Sequence, residues 1–300
     1  MTPPPAVRIS ENTERAVKSD LRIFARWCDE RGVASLPATA ETVATFVDAM
    51  AELRAPATVR RYIASITSAH RAIGVEKTLK SPAVRLALKR MHRRKGRRQL
   101  HAHALTSPLR RRMLEASGER LIDLRNCALL AVAYDTMLRR SELVLLQASD
   151  LLVEMTGDAT LVMRRGETDS DAPGEIVWIA PETVRLVRAW LARSGIAQGP
   201  LFRSVRKGDT IGERLDPSHV PRIFKAMART AGLPEAVVKG LSGNSARIGA
   251  AQDMIAAGIE MPAILDAGRW KSPAMVNRYR ERQLARRSGA AQLARLQNRA

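Results

Sequence analysis

Residues 242–279 read SGNSARIGAAQDMIAAGIEMPAILDAGRWKSPAMVNRY. Arg247 opens an amphipathic helical pattern, Gly268 and Trp270 make a Gly-x-Trp turn, and Tyr279 falls on the next helical pattern. A tyrosine presented beside arginines suits attack on a phosphodiester, because the phenol is a nucleophile and planar guanidiniums match phosphate oxygens two at a time. A lone tyrosine after an apolar turn equally fits a packed core residue. The stretch therefore poses a choice that the rest of the chain has to settle.

Composition narrows the partners first. With 50 Lys+Arg against 30 Asp+Glu in 300 residues, the formal charge is +20, which points to a polyanion. No apolar run reaches spanning length and no N-terminal signal is visible, so a nucleic acid in the cytoplasm is expected rather than an anionic membrane surface. Cys28 and Cys127 each sit inside a helical pattern, as expected of a reducing compartment without a disulfide framework. His101 and His103 are a pair without further ligands, so no metal site is expected.

The length suits two domains. In the first hundred residues the apolar positions fall at helical spacing: Val17, Leu21, Phe24 and Cys28; Val43, Phe46, Val47 and Met50; Val59, Tyr62, Ile63 and Ile66; Val84, Leu88 and Met91. Pro56 and Pro82 stand where first helical positions are expected. Arg60, Arg61 and Arg71 face away from the third stripe, and His70, on or beside that stripe, is expected to be packed or solvated rather than a ligand. This part holds 20 Lys/Arg against 9 Asp/Glu and closes on a run without acids: Arg85, Lys89, Arg90, Arg93, Arg94, Lys95, Arg97 and Arg98. Such a run repels itself, so phosphates are expected to neutralise it. The following GRRQLHAHALTSP has the look of a linker and places a domain boundary near residue 100.

Beyond it, LRNCALLAVAYDTM (124–137) is apolar nearly all round and so expected to be buried. It runs directly into LRRSEL, where Arg139 and Glu142 lie three apart and can pair. Two short strands are expected at 160–165 and 175–179, then helices at 181–193 and from Asp216-Pro217. The last segment is a basic helix carrying Leu284, Leu293 and Leu296.

The combination of LRRSEL, a small hairpin, NSARIGAAQDM, AGRW and a tyrosine nine residues after Trp270 resembles the tyrosine site-specific recombinases, the phage integrase family. The resemblance implies a mainly α fold with a small β-hairpin or sheet. Residues 1–100 would be an N-terminal helical core-binding domain including the basic linker, and 101–300 a catalytic domain whose C-terminal helix contacts other protomers. It also implies site-specific DNA recombination through a 3′-phosphotyrosine intermediate and a Holliday junction, on inverted half-sites and in a homotetramer, without metal or nucleotide cofactor. Arg139 and Arg247 would grip the scissile phosphate, Glu142 would support the local structure, Trp270 would contact the phosphate and pack the site, and Tyr279 would be the nucleophile. Phosphate contacts would come from Arg60, Arg61, Arg71, Lys89, Arg90, Arg93, Arg94, Lys95, Arg97, Arg98, Arg164 and Arg165.

Two positions depart from the pattern. Where the family usually has a lysine general acid in a segment like R-x-K-T, this chain reads Arg165-Gly166-Glu167-Thr168; where it usually has histidine three before the second arginine, this chain has Asn244. A carboxylate is repelled by phosphate and an amide cannot take a proton, while such groups contribute about 10²- to 10⁴-fold each. Three readings stay open: an active recombinase in which Arg164, Arg165 or Lys271 supplies the proton chemistry; an impaired relative acting as an architectural DNA-binding partner; and a DNA-relaxing enzyme of the type IB topoisomerase kind.

Overall fold

The computed structural model describes residues 11–75, 80–96, 102–163, 174–279 and 288–299. The chain divides into two compact units, Met1–His101 and Ala102–Ala300.

The first unit is built from α1 (Glu11–Asp29), α2 (Ala40–Leu53), α3 (Pro56–Ala72) and α4 (Pro82–Lys95). Pro56 and Pro82 open their helices, where a missing N–H loses nothing, and the Thr39 and Ser81 hydroxyls accept from the N–H groups of Thr42 and Val84. One apolar stripe from each helix meets the others around Phe24, Phe46, Tyr62 and Ile66, with Phe24 and Phe46 edge-to-face at 4.9 Å. His70 is buried within this bundle as a neutral ring: Nε2 accepts from the Ala38 N–H at 2.9 Å, so Nδ1 carries the proton to the Ile66 carbonyl at 2.9 Å. It is a structural tie, in line with its place on the apolar stripe.

The basic run at the end of α4 is not left to repel itself. Arg90 forks onto the Asp48 carboxylate, Arg94 meets Glu52 at 2.6 Å, and the Lys95 ammonium donates to the carbonyls of Glu52 and Arg54 at 3.1 and 3.3 Å. Asp48 and Glu52 lie one turn apart on α2, so a carboxylate ladder there neutralises part of the charge that the sequence alone assigns to phosphates. Arg61 likewise holds the fully buried Asp20 at 2.8 Å, which also accepts from the Ser65 hydroxyl. Arg85, Lys89 and Arg93 instead fall at i, i+4 and i+8 on an exposed stripe of α4 and, like Arg60 on α3, have no partner among the described residues.

The second unit has at its centre α6 (Leu121–Thr136), most of whose residues are buried. It packs against α8 (Pro181–Ser194), α9 (Val220–Thr230), α11 (Ser245–Ala256) and α5 (Ser107–Glu115). Asp135 fixes the approach of α8, accepting from the Ala180 N–H at 3.0 Å and the Thr183 hydroxyl at 2.6 Å. The sheet has three antiparallel strands in the order β1 (Leu151–Val153), β2 (Ala159–Met163), β3 (Glu175–Ile179), where the sequence suggests only two. In β2, Ala159, Leu161 and Met163 alternate inward. The unexpected β1 is three residues long and pairs Leu152 with Thr160. The short helices α7 (Arg140–Leu143), α10 (Glu235–Gly240), α12 (Met261–Gly268), α13 (274–279) and α14 (Gly289–Leu296) complete the unit.

Candidate active site

Three chain reversals bring the candidate residues together. The first follows α6, which ends because Met137 turns left-handed (φ 51°) with its side chain fully buried. Leu138 then dives into the core and Arg139 becomes the extended residue before α7. Glu142, three residues on, reaches back: its carboxylate accepts from the Arg139 N–H at 2.8 Å and from the Arg139 guanidinium at 2.6 Å. Burial pushes the Glu142 carboxyl up, but these bonds together with Arg139 and Arg269 outweigh it and hold the group below the usual carboxylate range. Arg139 remains 52% exposed, so it is pinned from one side and open on the other.

The second reversal is the start of α11. The Ser245 hydroxyl accepts from the Ser242 N–H at 2.8 Å, and Gly249 lets the helix pass the Leu105 carbonyl, which an added Cβ would meet at 1.8 Å. Arg247 is thereby carried inward and is 5% exposed. Its guanidinium donates to the Met137 carbonyl at 2.6 Å and to the Gly268 carbonyl, and its carbon lies 4.3 Å from the centre of the Trp270 ring. Burial, reinforced by Arg139 and Arg269, lowers its pKa to about 10. Asn244 stands exposed immediately before this helix.

The third reversal is the Gly-x-Trp turn. Gly268 has no alternative, since a Cβ there would sit 2.0 Å from the Trp270 ring. Trp270 lies against both Arg247 and Tyr279, its ring centre 6.0 Å from that of the tyrosine and the two planes tilted by 58°. Tyr279, on α13, is 7% exposed and packs in a small cluster with Met137, Ile248, Ile255 and Val276. Burial raises its phenol above the ordinary value, while Arg247 and then Arg278 pull it down. Arg139, Glu142, Arg247, Trp270 and Tyr279 thus share one neighbourhood although they span 141 positions of sequence.

Arg269 was not anticipated. Its guanidinium donates to the Thr136 and Met137 carbonyls at 3.3 Å each and lies 3.5 Å from both Glu142 and Glu175. Beside it, Glu175, Trp178, Trp270 and Lys271 line a groove of about 730 Å³. Glu167, Arg164, Arg165, Arg97 and Arg98 lie outside the described residues.

Residues 106–286 match the Phage integrase family. The chain belongs to that family. Among the family's members, the integrase/recombinase xerD homolog of Selenomonas ruminantium is 30% identical over 283 residues, covering 91% of this chain and 82% of the relative. Recombinase cre of Escherichia phage P1 is 30% identical over 287 residues, covering 90% and 84%. Of solved structures, the XerH site-specific recombinase bound to palindromic difH substrate, a post-cleavage complex, superposes with a TM-score of 0.66 at 16% identity, covering 92% of this chain and 78% of that one. The chain accordingly belongs with the tyrosine site-specific recombinases and has that family's mostly helical fold. Among the described residues no helix is long and apolar enough to cross a membrane.

Proposed function

We propose that Tyr279 attacks a DNA phosphodiester while Arg139 and Arg247 hold its nonbridging oxygens. The phenol oxygen bonds to phosphorus as the bond to the 5′-oxygen breaks, leaving a 3′-phosphotyrosine and a 5′-hydroxyl. The hydroxyl of a partner strand then reverses the step through a Holliday junction. The single observation that carries this reading is the contact of Trp270 with both Arg247 and Tyr279 beside the pinned, half-open Arg139. Guanidiniums already fixed by protein carbonyls and a carboxylate need little rearrangement as charge builds on phosphorus, which is where such groups contribute most.

The proton chemistry needs other groups than usual. The Tyr279 phenol is protonated at neutral pH like any phenol and burial raises it further; Asn244 can donate a hydrogen bond to phosphate but not accept that proton, so the proton would leave to solvent as the oxygen attacks. Lys271, exposed beside Trp270, would protonate the leaving 5′-oxygen, with Arg164 and Arg165 as further candidates.

The N-terminal unit would act as the core-binding domain, with Arg60, Lys89 and Arg93 on phosphates. Arg61, Arg90, Arg94 and Lys95, already engaged in the fold, would reach DNA only by sharing their charge. Exchanging two duplexes requires four cuts, and each protomer offers one phenol, so a homotetramer on paired inverted half-sites follows. The exposed Leu293 and Leu296 of α14 would then pack on a neighbouring protomer, in the cytoplasm where the DNA lies.

The test uses a duplex recovered from random-sequence DNA by selection on the chain, nicked near the cut so that religation fails. A covalent protein–DNA band that disappears in Tyr279→Phe supports the proposal. Specific binding with no band would instead support the impaired, architectural alternative, and relaxation of supercoils without recombinant product a topoisomerase.

A further inference from the structure

The roles above leave one charged side chain of the site without a task. Arg269 occupies the residue after α12 where the chain doubles back beneath Trp270, with φ 50° and ψ 46°. The Arg269 N–H donates to the Asp266 carbonyl and the Trp270 N–H to the Leu265 carbonyl, both at 2.9 Å, the arrangement that ends helices and favours glycine at this residue. A side chain here strains the backbone in a way that glycine would not. Something about the guanidinium compensates for that strain.

What it touches suggests the reason. The side chain is only 14% exposed, and the acceptors it approaches all belong to the protein: the Thr136 and Met137 carbonyls, Glu142 and Glu175. The Met137 carbonyl is also the acceptor of Arg247, and Glu142 is the carboxylate that pins Arg139. On its own the Arg139–Glu142 pair is a local i, i+3 contact, half open to solvent, which holds a side chain only weakly. Arg269 joins that pair to a buried carbonyl that Arg247 already uses.

We propose that Arg269 is a positioning residue for strand cleavage: by bonding the Met137 carbonyl and Glu142 together, it fixes the spacing between the guanidiniums of Arg139 and Arg247. Its contact with Glu175 extends the same anchor to the first residue of β3. This rests on the reading of Arg139 and Arg247 as the two groups that grip one phosphate.

Arg269→Gly is the informative variant, because it removes the side chain and its guanidinium at a turn whose backbone glycine adopts without strain. The expected result with the nicked duplex is a single-turnover rate of covalent-complex formation lowered by about 10- to 100-fold, the scale of a displacement of about 1 Å at a reacting centre. DNA affinity stays within about twofold, since one shielded cation among many contributes little to phosphate binding, and Arg269→Lys recovers part of the rate. A parental rate in Arg269→Gly overturns the inference and leaves the proposed function standing. If the parent forms no covalent complex, the proposed function fails by itself, and the positioning is read from ¹⁵N relaxation of the Arg139 Nε instead. Increased motion of that group in Arg269→Gly supports the inference, and an unchanged order parameter overturns it.

Discussion

Replacing Arg247 by lysine tests whether the buried guanidinium is needed for its shape as well as its charge. A guanidinium donates to the Met137 and Gly268 carbonyls at once and lies over Trp270. A single ammonium on a flexible stem can meet one of the two carbonyls but cannot stack. The change therefore forfeits one charge-assisted hydrogen bond, about 1.5–3 kcal/mol, and most of a desolvated cation–π contact, about 1–2 kcal/mol. The Met137 carbonyl keeps Arg269 as a donor, so the orphaned group is expected to be Gly268, at the turn that seats Trp270. A loss of roughly 2–5 kcal/mol in a unit of this size lowers the melting temperature by about 5–15 °C. The same burial that lowers Arg247 would lower the lysine and favour its neutral form. Calorimetry on the full chain reads the first effect, and the covalent-band assay reads the second, expected to fall by at least about 10²-fold as oxyanion donors of this kind do when removed. Affinity for DNA should hardly change. An Arg247→Lys chain that melts and cleaves like the parent would refute the claim that the fork and the stack define this site.

Further expectations follow from the same geometry. Glu167→Lys together with Asn244→His should raise cleavage about tenfold or more, since general acids and bases carry effects of that size or larger; an unchanged rate would show that other side chains already do the work. Because burial raises the Tyr279 phenol above its ordinary pKa, cleavage by the parent should climb by up to about tenfold per pH unit between about pH 7 and 9, with the phenolate fraction. With Asn244→His that slope should flatten above about pH 7, where imidazole is already neutral; a flat parental profile would contradict the protonated-phenol account. In linkage terms the same raised pKa contributes stability that is present below about pH 10 and lost as pH rises through the folded value. For binding, log affinity should fall steeply with log salt, and Lys89→Gln or Arg93→Gln should each reduce the slope by about 0.9. Arg94→Gln, whose charge meets Glu52, should change melting more than the slope; equal slope changes at all three would mean that the ladder opens on DNA.

What the sequence made legible has a physical pattern. The helices of the first unit announce themselves because each buries one stripe and starts at a proline or a hydroxyl cap, both local properties. The pairing of Arg139 with Glu142 is local too, and its spacing gave it away. β1 escaped because it is three residues long, leaves Leu152 and Val153 partly in solvent, and exists only by pairing with β2. The neutralisation of Arg90 and Arg94 escaped because Asp48 and Glu52 lie 42 residues earlier, so the run looks unmixed in one dimension and is mixed in three. Least visible were the anchors of Arg247: the carbonyls of Met137 and Gly268 are backbone groups, present at every residue, and only the fold selects these two. Arg269 was hidden for a related reason, since in so basic a chain one more arginine carries no signal until its acceptors are known.

The direct measurement of the account is chemical identification of the residue joined to DNA. The covalent complex trapped on the nicked duplex would be digested with protease and nuclease and the modified peptide sequenced by mass spectrometry. The account predicts a nucleotide linked through its 3′-phosphate to Tyr279 and to no other residue. A linkage on another side chain, or through a 5′-phosphate, would contradict it.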